Sequence, residues 1–297
     1  MLNSLVLYEG YTIMIDLHTH STFSDGSYTP TELVEKASEI GLEGLALTDH
    51  DTVDGLEELL HAECDTQIDR IAGVELSAEY SPGTMHILGY HIDIHNEDLC
   101  AKLALIREAR ETRNYRILEK LNELGLELTW DEVAEYAGSE VVGRPHFAQA
   151  MIARGYCKDK QTVFDKYLAK GKQAYVNRAR LDPGECIELI RNAGGVVVLA
   201  HPITLKLTKR KTRELIEQLV DLGLQGLECY YSEYSPKNHK EMLELATDLG
   251  LVMTGGSDFH GAANPAVKLG RGFGGLKVPN KLLEPLRAKT TVSRGSL

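Results

Sequence analysis

The stretch Ile15-Asp16-Leu17-His18-Thr19-His20 holds the pattern on which both the fold and the chemistry of this chain depend. A short apolar run over 13–17 predicts a strand, and two histidines follow it with one residue between them. In an extended segment, residues two apart point the same way, so both imidazoles can face one point beyond the strand. A single His-x-His pair arises easily by chance, so its meaning depends on the rest of the chain.

Further short apolar runs predict strands, and each is bounded by Gly, Asp or His. They are Gly44–Thr48, Ile71–Leu76, His86–His91, Val196–Ala200, Gly226–Cys229 and Val252–Gly255. Helical patterns lie between most of them, at Pro30–Ile40, Pro183–Asn192, Lys211–Leu222 and Lys237–Leu249. This alternation predicts an α/β fold, a sheet or barrel of parallel strands joined by helical crossovers.

The interval from about 97 to 178 breaks the alternation, because it contains helical patterns and no convincing strand. The predicted helices are Glu97–Leu124, Trp130–Ala137, Pro145–Arg154 and Thr162–Ala169. We therefore expect a framework over 14–97 and 179–290, a helical insertion over 98–178 and a tail over 291–297. Residues 1–13 are interpreted as an N-terminal extension, because Met14 stands directly before the ordered pattern and is the expected natural start.

The composition is that of an ordinary globular protein, with 43% hydrophobic and 26% charged residues among 297. The formal net charge of −12 argues against a general duplex-DNA-binding protein. Residues 101–180 nevertheless contain more basic than acidic residues, which suggests a segment that faces an anion. The five cysteines form no C-x-x-C pair, so we expect reduced thiols and a cytoplasmic protein. No run of residues is apolar enough to predict a membrane span.

His and carboxylate residues recur at the ends of the predicted strands. The set comprises His18, His20, Asp25, His50, Glu75, His86, His201, Asp258 and His260. The carboxyl ends of parallel strands share one edge of a sheet or barrel, so these side chains are expected to converge. Imidazole and carboxylate ligands without cysteine suit Mn²⁺, Zn²⁺ or Fe²⁺ and disfavour a purely structural zinc site.

These nine positions, in this order, resemble the motifs of the polymerase-and-histidinol-phosphatase (PHP) family. The resemblance covers about residues 14–100 and 178–290. It implies a distorted (β/α)7 TIM-like barrel, with the insertion capping its mouth, and the activity of a metal-dependent phosphoesterase. It also implies three divalent metal ions, for which Mn²⁺ is the expected identity and Zn²⁺ or Fe²⁺ are alternatives.

The resemblance also implies how the ligands are shared among the ions. One ion would be held by His18, His20, Glu75 and Asp258, a second by Glu75, His86 and His201, and a third by Asp25, His50 and His260. The catalytic water would be bound to metal at the second of these sets. Asp49 and Glu228 are expected to orient the ligands, although Asp49 could instead cap the following helix.

The insertion contains Gly143-Arg144-Pro145-His146-Phe147, which resembles the bacterial subgroup of nucleoside 3′,5′-bisphosphate phosphatases and RNase AM. The resemblance implies that Arg144 and His146 bind the substrate phosphate, as suits a guanidinium and a helix start. Alternatively, Arg144 pairs with an acidic neighbour. Arg107, Arg110 and Arg113 either line the same face or are solvated.

The expected reaction is hydrolysis of a nucleotide phosphate ester. The substrate would be the 3′-phosphate of a nucleoside 3′,5′-bisphosphate, the 5′ end of a short single-stranded RNA, or both. A histidinol-phosphate-type phosphatase is one alternative, against which the Arg144-x-His146 motif argues. A non-catalytic metal-binding or nucleotide-binding module is the other, against which the complete set of nine positions argues. Neither duplex DNA nor a membrane is expected as a partner.

Overall fold

The structure is a computed structural model that describes residues 14–137, 142–177 and 180–290. The predicted extension over 1–13 and the predicted tail over 291–297 lie outside the described residues. None of the described helices combines the length and the apolar character that a membrane crossing requires. All five cysteines are described, and all five are free thiols.

Seven strands form a single sheet whose spatial order follows the chain. They are β1 (Met14–Asp16), β2 (Leu42–Leu47), β3 (Asp69–Ala78), β4 (Met85–Tyr90), β5 (Val196–Leu199), β6 (Gly226–Tyr231) and β7 (Val252–Gly256). The sheet curls until its two edges meet, since the Leu17 N–H donates to the Gly255 carbonyl over 3.1 Å. Thr19 and Phe259 pair as an isolated parallel bridge just beyond. The predicted TIM-like barrel is thereby confirmed in a nearly closed form.

One strand departs from the predicted parallel arrangement. Strand β4 runs antiparallel to both β3 and β5, whereas the other neighbouring pairs are parallel. The physical reason is the short link over 79–84, because a parallel crossover needs a dozen or more residues. The reversal brings the start of β4, and with it His86, to the barrel end at which the other strands finish.

Helices cover the outside of the barrel, much as the alternation predicts. They are α1 (Pro30–Glu39), α2 (Leu56–His61), α7 (Pro183–Asn192), α8 (Lys209–Leu222) and α9 (Pro236–Asp248). Helix α1 begins where the sequence indicates, because the Thr29 hydroxyl accepts the Glu32 N–H and Pro30 occupies the first turn. Inside the barrel, fully buried side chains such as Ile15, Leu17 and Tyr90 form a cluster. Helix α10 (Leu283–Arg287) adds Leu283 and Leu286 to it.

The chain between β4 and β5 is helical up to α7. It forms α3 (Glu97–Glu123), α4 (Trp130–Ala137), α5 (Arg144–Ala153), α6 (Lys160–Val163) and a π-helix (Phe164–Leu168). The single helix predicted over Thr162–Ala169 is therefore two short elements of different pitch. Leu99 and Leu103 of α3 belong to the barrel core, whereas Ile117 and Leu121 belong to a separate cluster with Phe147. Helix α3 therefore packs in two hydrophobic cores, one at each end. The boundaries of the insertion, predicted at residues 98 and 178, stay a prediction.

Candidate metal centre and phosphate site

The nine side chains predicted as metal ligands lie together at one end of the barrel, with Glu75 among them. One carboxylate oxygen, Glu75 Oε1, lies 2.9 Å from His86 Nδ1 and 3.0 Å from His201 Nε2. The other, Oε2, lies 3.3 Å from both His18 Nε2 and His20 Nε2. A single buried carboxylate therefore faces imidazoles that come from three different strand ends.

Asp258 and Asp25 extend the cluster toward solvent. Asp258 Oδ1 lies 3.1 Å from His20 Nε2 and 3.5 Å from His18 Nε2. Asp25 Oδ1 lies 3.2 Å from His260 Nε2, and the His20 and His260 rings stack with centroids 4.1 Å apart. The two carboxylates thus stand on either side of a shared imidazole stack.

The donor atoms form overlapping groups, each compact enough to hold an ion. The groups are His18, His20 and Asp258; His18, Glu75 and His201; His50, Glu75 and His86; and His20, Asp25, His50 and His260. Compared with the predicted sharing, His20 lies within reach of two groups and His50 also approaches Glu75. The assignment of ligands to particular ions therefore stays a prediction.

Four buried polar atoms at the centre of this cluster make no hydrogen bond. They are His18 Nε2, His20 Nε2, His50 Nδ1 and Glu75 Oε2. Unsatisfied buried polar atoms are costly, so convergence of four of them needs an explanation. Divalent cations shared among the overlapping groups would accept these lone pairs, and imidazole with carboxylate is a donor set that suits such ions. The residues therefore fit a metal centre.

The buried acids and imidazoles of the cluster shift one another's pKa values in both directions. Burial opposes protonation of His18 and His50, but the neighbouring carboxylates outweigh it, raising the pKa of His18 well above its ordinary value and that of His50 to about 9. Burial lowers the pKa of His20 to about 3, and the neighbouring His260 and His50 act in the same direction. Burial opposes ionisation of Glu75, but His50, His86 and His18 outweigh it and hold the pKa of Glu75 well below its usual range. A neutral imidazole and an ionised carboxylate are the forms that bind a metal.

Glu228 contacts two of the imidazole-bearing residues, and its predicted role in orienting the ligands stays a prediction. Glu228 Oε1 lies 3.0 Å from His18 Nδ1, and Oε2 accepts the His201 backbone N–H over 2.7 Å. Glu228 is fully buried. A proton on His18 Nδ1, donated to this carboxylate, leaves Nε2 unprotonated and directed at Glu75 and Asp258.

The Asp49 side chain acts on a loop, and its backbone carbonyl accepts the Glu75 N–H over 3.1 Å. Its carboxylate accepts the Ser21 N–H over 2.7 Å and the hydroxyls of Ser21 and Ser24, each over 2.5 Å. These bonds fix the loop that carries Asp25. The alternative that Asp49 caps the next helix has no support, because the residue before α2 is Gly55, which makes no side-chain cap.

Two more aspartates repeat this arrangement. Asp16 accepts both the N–H and the hydroxyl of Ser257, over 2.8 and 2.5 Å. Asp51 accepts the N–H and the hydroxyl of Ser77, over 2.9 and 3.1 Å. The sequence reasoning overlooked Asp16, although a carboxylate between two apolar strand residues is a signal that could have identified it.

Tyr231 and Thr204 were also overlooked. The Tyr231 hydroxyl donates to Asp258 Oδ2 over 3.0 Å, and Thr204 Oγ1 lies 3.1 Å from His201 Nδ1. Both His201 and Asp258 have positive φ, at 24° and 58°. Left-handed backbone at a residue other than glycine is strained and tends to occur at functional sites. The backbone is therefore strained at two predicted ligands, His201 and Asp258.

In the insertion, Arg144 and His146 lie in the first turn of α5. His146 Nδ1 accepts the Gly143 N–H over 3.1 Å, so the neutral ring carries its proton on Nε2. Burial lowers the pKa of His146, Arg110 and Lys160 act in the same direction, and Asp25 opposes them. An N–H at Nε2 is a donor of the kind that suits a phosphate oxygen.

Arg144 lines a cavity of about 270 Å³ between the insertion and the β3–β4 link. The Arg144 guanidinium donates to the Leu168 carbonyl over 3.1 Å and lies over the rings of Phe164 and Tyr175. Further basic residues line the cavity, namely Arg113, Lys170 and Arg180. Glu79 is the acidic residue among the described lining residues. This concentration of positive charge suits a phosphate group.

The predicted arginine stripe on α3 divides in the structure. Arg107 donates to Thr52 Oγ1 and Asp54 Oδ2, each over 2.8 Å, and so ties α3 to the residues that follow β2. Arg113 is buried and lines the cavity with Arg144. Only part of the stripe therefore faces the basic cavity.

Comparison with known proteins agrees with this geometry. The PHP domain family matches residues 16–251. A 5′-3′ exoribonuclease from Haemophilus influenzae is 34% identical over 245 residues, which are 82% of this chain and 89% of the relative. A 3′,5′-nucleoside bisphosphate phosphatase from Chromobacterium violaceum is 36% identical over 247 residues, 83% of this chain and 87% of the relative.

A solved structure gives the same result for the fold. The crystal structure of a predicted metal-dependent phosphoesterase from Bifidobacterium adolescentis superposes with a TM-score of 0.78 at 30% identity. The match covers 97% of this chain and 100% of that one. With a barrel that gathers imidazoles and carboxylates at one end, and with relatives matched over most of their length, this chain belongs to the PHP domain family and is a metal-dependent phosphoesterase.

Proposed function

We propose that this protein hydrolyses phosphate esters of nucleotides at a centre of three divalent ions, with Mn²⁺ as the expected metal. The proposed substrate is the 3′-phosphate of a nucleoside 3′,5′-bisphosphate, the phosphorylated 5′ end of short RNA, or both. The relatives named as a bisphosphate phosphatase and an exoribonuclease support this substrate class.

The observation that carries the proposal is a basic cavity bordered by the link between β3 and β4, the two strands that carry Glu75 and His86. Arg144 lines that cavity, and His146, two residues later, is influenced by Asp25 of the cluster. A substrate with two phosphates separated by a sugar would place one group at each location. A histidinol phosphate has only one phosphate and could occupy only one of the two locations.

The side chains of the chain have distinct tasks in this proposal. Glu75, His86 and His201 would hold the ion nearest the reacting phosphate, while Glu228 keeps two of the imidazole-bearing residues in position. When bound, the ions would supply an activated water near neutral pH and neutralise the phosphate oxygens. Arg144 and the N–H of His146 Nε2 would bind and orient the phosphate that does not react.

The net charge of the chain is compatible with this substrate. The formal charge of −12 describes the whole chain, whereas the cavity is lined by four cations and one carboxylate. Divalent ions would make the adjacent centre more positive still. A local positive site in an acidic protein favours a small nucleotide or a single-strand end over a duplex, which needs an extended basic surface.

The test is a substrate panel with the purified protein in Mn²⁺. Adenosine 3′,5′-bisphosphate, a short 5′-phosphorylated RNA and histidinol phosphate would be compared by phosphate and nucleotide release. We expect turnover of the bisphosphate, the RNA or both, loss of that turnover with a chelator, and recovery when Mn²⁺ is returned. A preference for histidinol phosphate, or no turnover of either nucleotide substrate, would refute the proposed substrate class.

A further inference from the structure

A second basic cavity lies outside the proposed active centre, on the far side of Phe259. Its volume is about 540 Å³, and we call it the Tyr28 cavity. Its walls include Tyr28, Ile40, Phe259, Lys36, Lys268 and Arg271. The Tyr28 and Phe259 rings contact each other with centroids 5.6 Å apart. The volume falls in the range of pockets that bind small molecules, and the floor is aromatic and apolar.

The cations of the Tyr28 cavity lack acidic partners. Among the described residues, no Asp or Glu lines the cavity, and neither Lys36, Lys268 nor Arg271 forms an ion pair. Lys36 Nζ lies 5.4 Å from the Tyr28 ring centroid, and Lys268 Nζ donates to the Pro265 carbonyl. Three cations without a carboxylate are unexpected in a chain of net charge −12. An anion would complete their electrostatics.

The backbone that carries two of these cations is fixed in place. Lys268 and Gly272 exchange two backbone hydrogen bonds, of 2.7 and 2.8 Å, across the turn that contains Arg271. Within the same turn, the Gly270 N–H donates to Asp16 Oδ2 over 2.7 Å. Asp16 also holds Ser257, the residue before Asp258. The cations therefore occupy a defined position relative to the predicted ligands.

We propose that the Tyr28 cavity binds a nucleoside monophosphate, with the phosphate on Lys268, Arg271 and Lys36 and the base over the half-buried Tyr28 ring, which packs on the buried Phe259. Aromatic side chains are the usual platform for bases, and phosphate is the anion that such a nucleotide brings. The choice of a nucleotide over another anion rests on the proposed function, because hydrolysis of a bisphosphate releases this product. Phe259 lies between Asp258 and His260, so occupancy would bear directly on the segment that carries two predicted ligands.

The test is calorimetric titration of metal-free protein with AMP, in an Arg144→Ala background that weakens the basic cavity near the metal cluster. We expect saturable binding that the double variant Lys268→Glu, Arg271→Glu weakens at least about tenfold. The matched control is Lys277→Glu, Lys281→Glu, which makes the same change in charge at two exposed lysines outside the cavity. This control is expected to bind AMP like the background protein.

Equal loss of binding in the control, no effect of the cavity variant, or no saturable AMP binding would each overturn the proposal. Inorganic phosphate or adenosine that binds as tightly as AMP would also overturn it, because the site would then not bind both the phosphate and the base. Since binding is measured without metal, these outcomes are separate from turnover of the bisphosphate by the unchanged, Mn²⁺-loaded protein. That turnover tests the proposed function alone.

Discussion

The barrel end and the insertion present their polar groups in different ways. At the barrel end, donors follow strands whose backbone is fixed by the sheet, and buried carboxylates bond the loops between them. In the insertion, Arg144 and His146 lie in the first turn of a helix, where Arg144 bonds the Leu168 carbonyl and lies over aromatic rings and His146 accepts the Gly143 N–H. The barrel end fixes the positions of its donor atoms accurately, whereas the insertion contributes mainly positive charge.

This difference predicts a division of labour between the two regions. Ions need donors fixed to within a few tenths of an ångström, which strand ends with supporting carboxylates provide. Phosphate recognition by an arginine tolerates more adjustment, because charge and a fork of donors carry it. Changes at the barrel end should therefore affect metal binding and kcat, whereas changes in the insertion should affect KM.

The largest effect is expected for His20→Ala, which removes a donor that lies within reach of two ligand groups. We expect kcat to fall by at least about 100-fold, with loss of bound metal. Steady-state kinetics and metal analysis of the purified variant would measure both. His61→Ala is the control, because His61 is exposed and bonds only the Glu57 carbonyl of its own helix. A fully active, fully loaded His20→Ala protein would remove this residue from the centre.

Arg144→Ala should separate the two regions most clearly. Loss of a charge-assisted contact to phosphate is expected to raise KM for the bisphosphate about tenfold to 100-fold, with metal content unchanged. Arg154→Ala is the matched control, because Arg154 caps the other end of α5 and pairs with Glu132. If Arg144→Ala instead lowered kcat at constant KM, the proposed division between the regions would be wrong.

Tyr231→Phe tests whether the hydrogen bond from Tyr231 to Asp258 contributes to metal binding. The Tyr231 hydroxyl occupies Asp258 Oδ2 and leaves Oδ1 directed at the imidazoles. Removal of the hydroxyl is expected to weaken Mn²⁺ binding about tenfold, as measured by competition with a chelator. Tyr230→Phe on the same strand is the control, since the Tyr230 ring packs on His239 away from the cluster. Identical Mn²⁺ affinity in the two variants would contradict the role of Tyr231.

The smallest effect is expected at the joint between the regions. Arg107→Ala removes a half-exposed ion pair with Asp54, and such pairs contribute about 0–1 kcal/mol to the free energy of unfolding. Denaturant unfolding of Arg107→Ala, Asp54→Ala and the double variant would give the coupling energy. A coupling above about 2 kcal/mol would mean that this contact holds the insertion on the barrel more firmly than its exposure implies.

The sequence predicts the ligand residues at the barrel end better than the residues that hold those ligands in position. Predicted ligands such as His18 and Glu75 stand at the ends of short apolar runs, so the hydrophobic pattern of the sequence locates them. Asp16 and Tyr231 carry no comparable pattern, because their value depends on partners more than 25 residues away, Ser257 and Asp258. The antiparallel β4 could have been predicted from its six-residue link, whereas the Tyr28 cavity joins segments that only the closed barrel brings together.

The reversal of β4 also explains why α3 is so long. Because β4 runs the other way, it delivers the chain to the barrel end opposite the metal cluster, where Asn96 begins the helix and bonds the Asn192 carbonyl just before β5. The 27 residues of α3 extend about 40 Å. Arg107 reaches the level of the cluster after about 15 Å, so the remaining turns stand above it and carry Arg110 and Arg113. The height at which the insertion stands over the metal cluster is thus set by the length of one helix, and removal of a single turn after Arg107 would lower it by about 5 Å.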